Sequence, residues 1–105
     1  MKSNIYDLLR DLRKEKGYSL REVSEKTGMA HTVIDNLERG RTYYGKYKNE
    51  VKSSYLRKLA EVYDVHYIIL MVVAGNVEIE DVKPRPEFEK YKKYMRRRKV
   101  EGRTK

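Results

Sequence analysis

The stretch from Tyr18 to Arg41, YSLREVSEKTGMAHTVIDNLERGR, constrains the fold most, because its residues are ordered as two short amphipathic helices hinged at a glycine. Ser19 followed three residues later by Glu22 is a capping-box pattern, in which a hydroxyl and a carboxylate satisfy otherwise orphaned backbone N–H groups. A helix is therefore predicted to begin at Leu20, with Leu20, Val23 and Thr27 on its inward face. Gly28 supplies the turn, since a glycine takes positive φ with little steric penalty. The second helix is predicted from Ala30 to Arg39, with Val33, Ile34 and Leu37 forming the buried stripe and Gly40 the stop. His31, Thr32, Asp35 and Asn36 then share the opposite, exposed face.

The flanking segments extend the helical reading. Ser3 can cap a first helix ending at Lys16, whose Ile5, Leu8, Leu9 and Leu12 recur at helical spacing before Gly17. A fourth helix, capped by Ser53 or Ser54, turns Leu56, Leu59, Ala60 and Tyr63 inward. A fifth covers YIILMVVA and ends at Gly75. It is apolar on every face, yet far shorter than the ~20 residues that span a bilayer. Such a helix must be buried all round. Either Tyr67, Ile68, Met71 and Val72 form a self-association or partner surface, with a two-fold homodimer the favoured form, or the C-terminal arm covers them.

In that arm the alternation of Val77 and Ile79 suggests a short strand or extended segment, and Pro84 and Pro86 form a break. From Glu87 a sixth helix would carry Phe88, Tyr91 and Met95 on one face. The expected architecture is thus all-α: five helices in a domain over 1–75, and a basic C-terminal extension over 76–105 that includes the short strand and sixth helix.

Charge is distributed unevenly. Residues 1–40 hold 8 basic against 7 acidic side chains, whereas the ratio is 4 to 1 in 41–52, 2 to 5 in 53–82 and 11 to 3 in 83–105. The net +9 therefore sits on one loop and the tail. Such blocks favour a polyanion, and their association should weaken steeply with salt. A membrane surface is the rival polyanion, but the tail lacks the large apolar face of an interfacial helix. The tail reads either as a sequence-independent grip on such a polyanion or as a solubilising charge run.

The ordering of an arginine six residues before the cap serine, then S-x-x-E-V-S-x-x-T-G, then I-x-x-L-E-R-G, resembles the Cro/repressor type helix-turn-helix family, often called XRE. The likeness covers Ile5 to Gly75 and needs no gap within the core motif. It implies a repressor-like five-helix fold whose second motif helix enters the DNA major groove. It also implies that Arg13 and Glu38 form a partly buried structural ion pair, that His31, Thr32 and Asn36 contact bases, and that Arg39 and Arg41 contact the DNA backbone. Asp35 reads as a bystander, since a carboxylate on that face repels phosphate unless it accepts from a cytosine amino group.

Two departures from the family stand out. Leu20 replaces the usual phosphate-contacting glutamine, and Arg21 or Lys26 is expected to take over that contact. After Gly40 the segment RTYYGKYKNEVKS is longer than in a typical member by roughly seven residues, within ordinary loop lengths. Its Arg41, Tyr43, Lys46 and Lys48 read as a phosphate-gripping arm; the alternative is a solvated loop whose tyrosines pack on the domain.

The function expected from this reading is a sequence-specific transcriptional regulator, a repressor binding double-stranded DNA at two half-sites as a homodimer. The competing reading is an antitoxin-like or partner-docking protein that autoregulates through the same motif. No nucleophile with a base, paired carboxylates in a pocket pattern or phosphate-cradling loop is evident, and a recombinase using one of the ten tyrosines would need a larger scaffold, so no enzyme is expected. With no cysteine and only His31 and His66, neither a metal site nor a cofactor is expected. Asp7, Arg10 and Asp11 interrupt the first apolar run, so it does not read as a signal peptide; a cytoplasmic, nucleoid-associated location follows as an expectation.

Overall fold

The computed structural model describes residues 5–40 and 51–95. Ser3 and the basic tail from Arg96 onward lie outside the described residues. Among the described residues six α-helices follow in order: α1 (Ile5–Lys16), α2 (Leu20–Thr27), α3 (His31–Glu38), α4 (Ser53–Tyr63), α5 (Tyr67–Ala74) and α6 (Glu87–Lys90). No strand occurs among the described residues.

Local chemistry sets the first three helices. Ile5, Leu8, Leu9 and Leu12 turn one side of α1 into the core, while Asp7 in its first turn and Arg13, Lys14 and Lys16 in its last complement the helix dipole. Ser19 caps α2: its Oγ accepts from the Glu22 N–H at 3.0 Å, and Glu22 Oε1 accepts from the Ser19 N–H at 2.7 Å. Gly28 ends α2 at φ 77°, and its N–H donates to the Ser24 carbonyl at 2.8 Å. Two hydroxyls then lock the turn. Thr27 donates to the Val23 carbonyl and accepts from the Met29 N–H, and Ser24 donates to the Met29 carbonyl. Met29 is buried beneath them, a core role that its position in the turn did not announce.

The core joins α1 through α5. Val23, Ile34, Leu37, Leu56, Leu59, Tyr63, Ile69, Leu70 and Val73 belong to one cluster with the α1 leucines. Val33 is only half-buried at its margin. The cap of α4 differs from expectation. Ser53 and Ser54 already lie inside the helix, Lys52 occupies the cap, and no side chain bonds there. The His66 imidazole caps α5 instead, its Nδ1 accepting from the Ile68 N–H at 3.1 Å.

The C-terminal arm corrects the strand expectation. Ile79–Asp81 forms a tight 3-10 turn: no strand among the described residues is available to pair with it, and Ile79 packs on the core. A strand lacking a partner leaves its backbone groups unsatisfied. Beyond the prolines, α6 is a single turn followed by a 3-10 turn at Lys92–Tyr94. Phe88 and Tyr91 enter the same core cluster as α1 and α5, and the Tyr94 hydroxyl donates to Asp11 Oδ2 on α1.

The apolar α5 is not buried on all sides within the chain. Ile69, Leu70, Val72 and Val73 are buried, whereas Tyr67, Ile68, Met71 and Ala74 are half-buried at the margin of the core. The Arg57 guanidinium stacks over the Tyr67 ring at 4.3 Å. Val72 is therefore largely occupied by its own chain, which leaves Tyr67, Ile68 and Met71 as the available part of the expected surface.

Candidate nucleic-acid interface

The site is built on α3. Ile34, Leu37 and Glu38 anchor one side of this helix, so its rotation is fixed. The other side carries His31, Thr32 and Arg39 exposed and Asp35 and Asn36 half-buried. Ala30 caps α3 without a side-chain bond. The first backbone N–H groups of such a helix have no intrahelical acceptor and favour an anion.

Arg21, Ser24 and Glu25 of α2 and His31 of α3 line one open groove between the two helices. The α2 side of the groove thus carries one cation and one carboxylate, and the α3 side its first residue. Leu20 is half-buried and packs against the core, which accounts physically for an apolar residue at that position. Lys26 lies over the Tyr18 ring at 5.0 Å, on the same helix as Arg21.

Behind the site, Arg13 and Glu38 are brought into a two-pronged contact. Arg13 Nε donates to Glu38 Oε2 at 2.7 Å and Nη2 donates to Oε1 at 2.9 Å. Nη1 also donates to the Tyr18 carbonyl at 3.0 Å, so one guanidinium ties α1, the α1–α2 turn and the end of α3 together. The hydrogen bond to Glu38 raises the Arg13 pKa, with burial opposing it. Tyr63 lies fully buried nearby, and burial, reinforced by the Glu38 charge, pushes its phenol well above the usual value.

On the exposed side, Arg39 Nε donates to Asp35 Oδ1 at 3.0 Å. The sequence reading missed this pair, although an acid four residues before an arginine on a helix was the available signal. Arg41, Tyr43, Lys46 and Lys48 lie outside the described residues.

Among the described residues, no group of three or more His, Cys, Asp or Glu side chains is placed to hold a metal ion. No described helix is long and apolar enough to cross a membrane. A family model described as "Helix-turn-helix" matches residues 9–70, more than half of the chain and the span from α1 into α5. Comparisons with curated proteins and with solved structures give no match.

Proposed function

The chain belongs to the Cro/repressor type helix-turn-helix family, whose members are DNA-binding transcriptional regulators, and from that premise we propose that it is a repressor acting as a dimer on a two-half-site operator. In this reading α3 enters the major groove, with His31, Thr32 and Asn36 facing base edges. Arg21, Arg39, Arg41, Tyr43, Lys46 and Lys48 hold the DNA backbone, which fixes register without itself reading sequence. Two copies would engage half-sites about 34–36 Å apart and exclude polymerase by occupancy. The observation that carries the reading is the division of α3 into a face locked by Ile34, Leu37 and the Arg13–Glu38 pair and a polar face bearing His31, Thr32 and Asn36.

Selection of bound duplexes from random DNA, followed by sequencing, tests it. The expected result is an enriched two-half-site motif; recovery of no motif would sink the sequence-specific version. Asn36→Ala should relax preference at specific positions, while Lys46→Ala should weaken binding to all sequences alike.

A second reading shares the DNA-binding surface but uses the half-buried Tyr67, Ile68 and Met71 of α5 to hold another protein, as an antitoxin-like regulator would. Co-purification of a second, different chain in equal amounts favours it; a homodimer without such a chain favours the first.

A further inference from the structure

His31, Asp35 and Arg39 follow one another at four-residue spacing, so each advances only about 40° around a helix of 3.6 residues per turn. They form a line that starts beside the buried stripe of Ile34, Leu37 and Glu38 and runs along one side of the exposed face of α3, with Thr32 and Asn36 toward its middle. A free carboxylate on that line would oppose phosphates and most groove acceptors. Asp35 is instead engaged through Oδ1 by Arg39 Nε at 3.0 Å. Its side chain is 34% exposed and that of Arg39 57%, so the carboxylate is the sheltered partner and the guanidinium projects outward.

A guanidinium is a planar fork of five N–H donors. Bonding through Nε leaves the fork of Nη1 and Nη2 for a second pair of acceptors. Both sources of such a pair on DNA have the same chemistry: O6 and N7 of a guanine, or two phosphate oxygens. The Arg13–Glu38 contact secures the end of α3 from behind, so the backbone that carries Arg39 is held as well.

We propose that Asp35 is a positioning residue for DNA recognition, aiming the Arg39 guanidinium at a neighbouring acceptor pair on the duplex. The inference rests on the DNA-binding reading above and adds a role to a residue that otherwise only opposes binding.

The test measures binding of the full chain by fluorescence anisotropy, on a selected duplex and on an unrelated one, with helix content and melting recorded for each variant. Asp35→Asn is expected to weaken binding about three- to tenfold, the fold-change that corresponds to losing the preorganisation of one long side chain. This loss should occur although a negative charge has been removed. Arg39→Ala should weaken binding at least as much, and adding Asp35→Asn to it should cause no further loss. Arg39→Lys keeps the charge without the fork and should resemble Arg39→Ala.

Loss confined to the selected duplex, and traceable to one base pair in single-base variants, identifies guanine as the target. Equal loss on both duplexes identifies phosphate. Unchanged or tighter binding by Asp35→Asn, or a further loss in the Arg39→Ala background, overturns the positioning role. Failure of the unaltered chain to bind either duplex is a separate result and overturns the DNA-binding reading together with this one.

Discussion

Arg13 and Glu38, 25 residues apart, meet edge to edge, and the contact ties the last turns of α1 and α3 together. The Arg13 side chain is 15% exposed and that of Glu38 7%. Replacing Arg13 with Met leaves a buried carboxylate uncompensated and should cost about 3–5 kcal/mol of stability in urea denaturation. Arg13→Met combined with Glu38→Met should recover much of that loss, because neither charge is then buried. The exposed Arg10–Asp7 pair offers the contrast, and its disruption should change stability by no more than about 1 kcal/mol.

Tyr94 tethers the C-terminal arm to Asp11, and its phenol is pushed up to about 12 by burial and by that hydrogen bond. A folded-state value raised above the ordinary 10.0 means that the tether's contribution is fully present below about pH 10 and is lost as pH rises through about 12. Absorbance titration should therefore show a late-ionising tyrosine that disappears in Tyr94→Phe. The stability difference between the two proteins should shrink across the same interval; a constant difference would contradict the tether.

Removal of the Ser19 hydroxyl breaks half of the α2 capping box. Ser19→Ala should cost about 1 kcal/mol and lower the melting temperature by about 4–8 °C for a domain of this size. Base preference in a DNA selection should be unchanged, since α3 keeps its packing.

Phe88 holds the arm through burial, whereas Lys92 and Lys93 beside it are exposed. Phe88→Ala should cost about 3–5 kcal/mol in chemical denaturation. Lys92→Ala with Lys93→Ala should stay within about 0.5 kcal/mol of the parent. If the arm grips DNA, the same lysine pair should lower the slope of affinity against salt; an unchanged slope would leave these two lysines without a DNA role.

Association through α5 predicts that the chain sediments as a dimer and that Met71→Glu converts it to a monomer without loss of helix content. A monomeric parent at concentrations where it binds DNA would oppose the two-half-site reading.

The elements that sequence reasoning located well are those whose signals are local. Ser19 and Glu22 bond each other across three residues, and Gly28 and Gly75 end helices by adopting positive φ, so α2 and the end of α5 could be read directly from neighbouring residues. The α4 cap was misplaced because two adjacent serines offer equivalent hydroxyls, and the helix begins one residue earlier than a serine cap would permit. Period-two alternation at Val77 and Ile79 indicated a strand, but alternation does not create a pairing partner.

Local patterning determined α1, α2 and the polar face of α3, because helical periodicity, the Ser19–Glu22 capping box and the glycine stops depend only on residues within one or two turns. Tertiary structure alone decided that Phe88 and Tyr91 complete the core, that Val72 is covered by its own chain, and that Tyr94 reaches Asp11 across 83 residues. Those outcomes depend on which distant surfaces meet. The burial of Phe88, Tyr91 and Val72 is stabilised by removing apolar area from water, a force without direction or sequence range, and the Tyr94–Asp11 hydrogen bond forms only once that packing has brought its partners together.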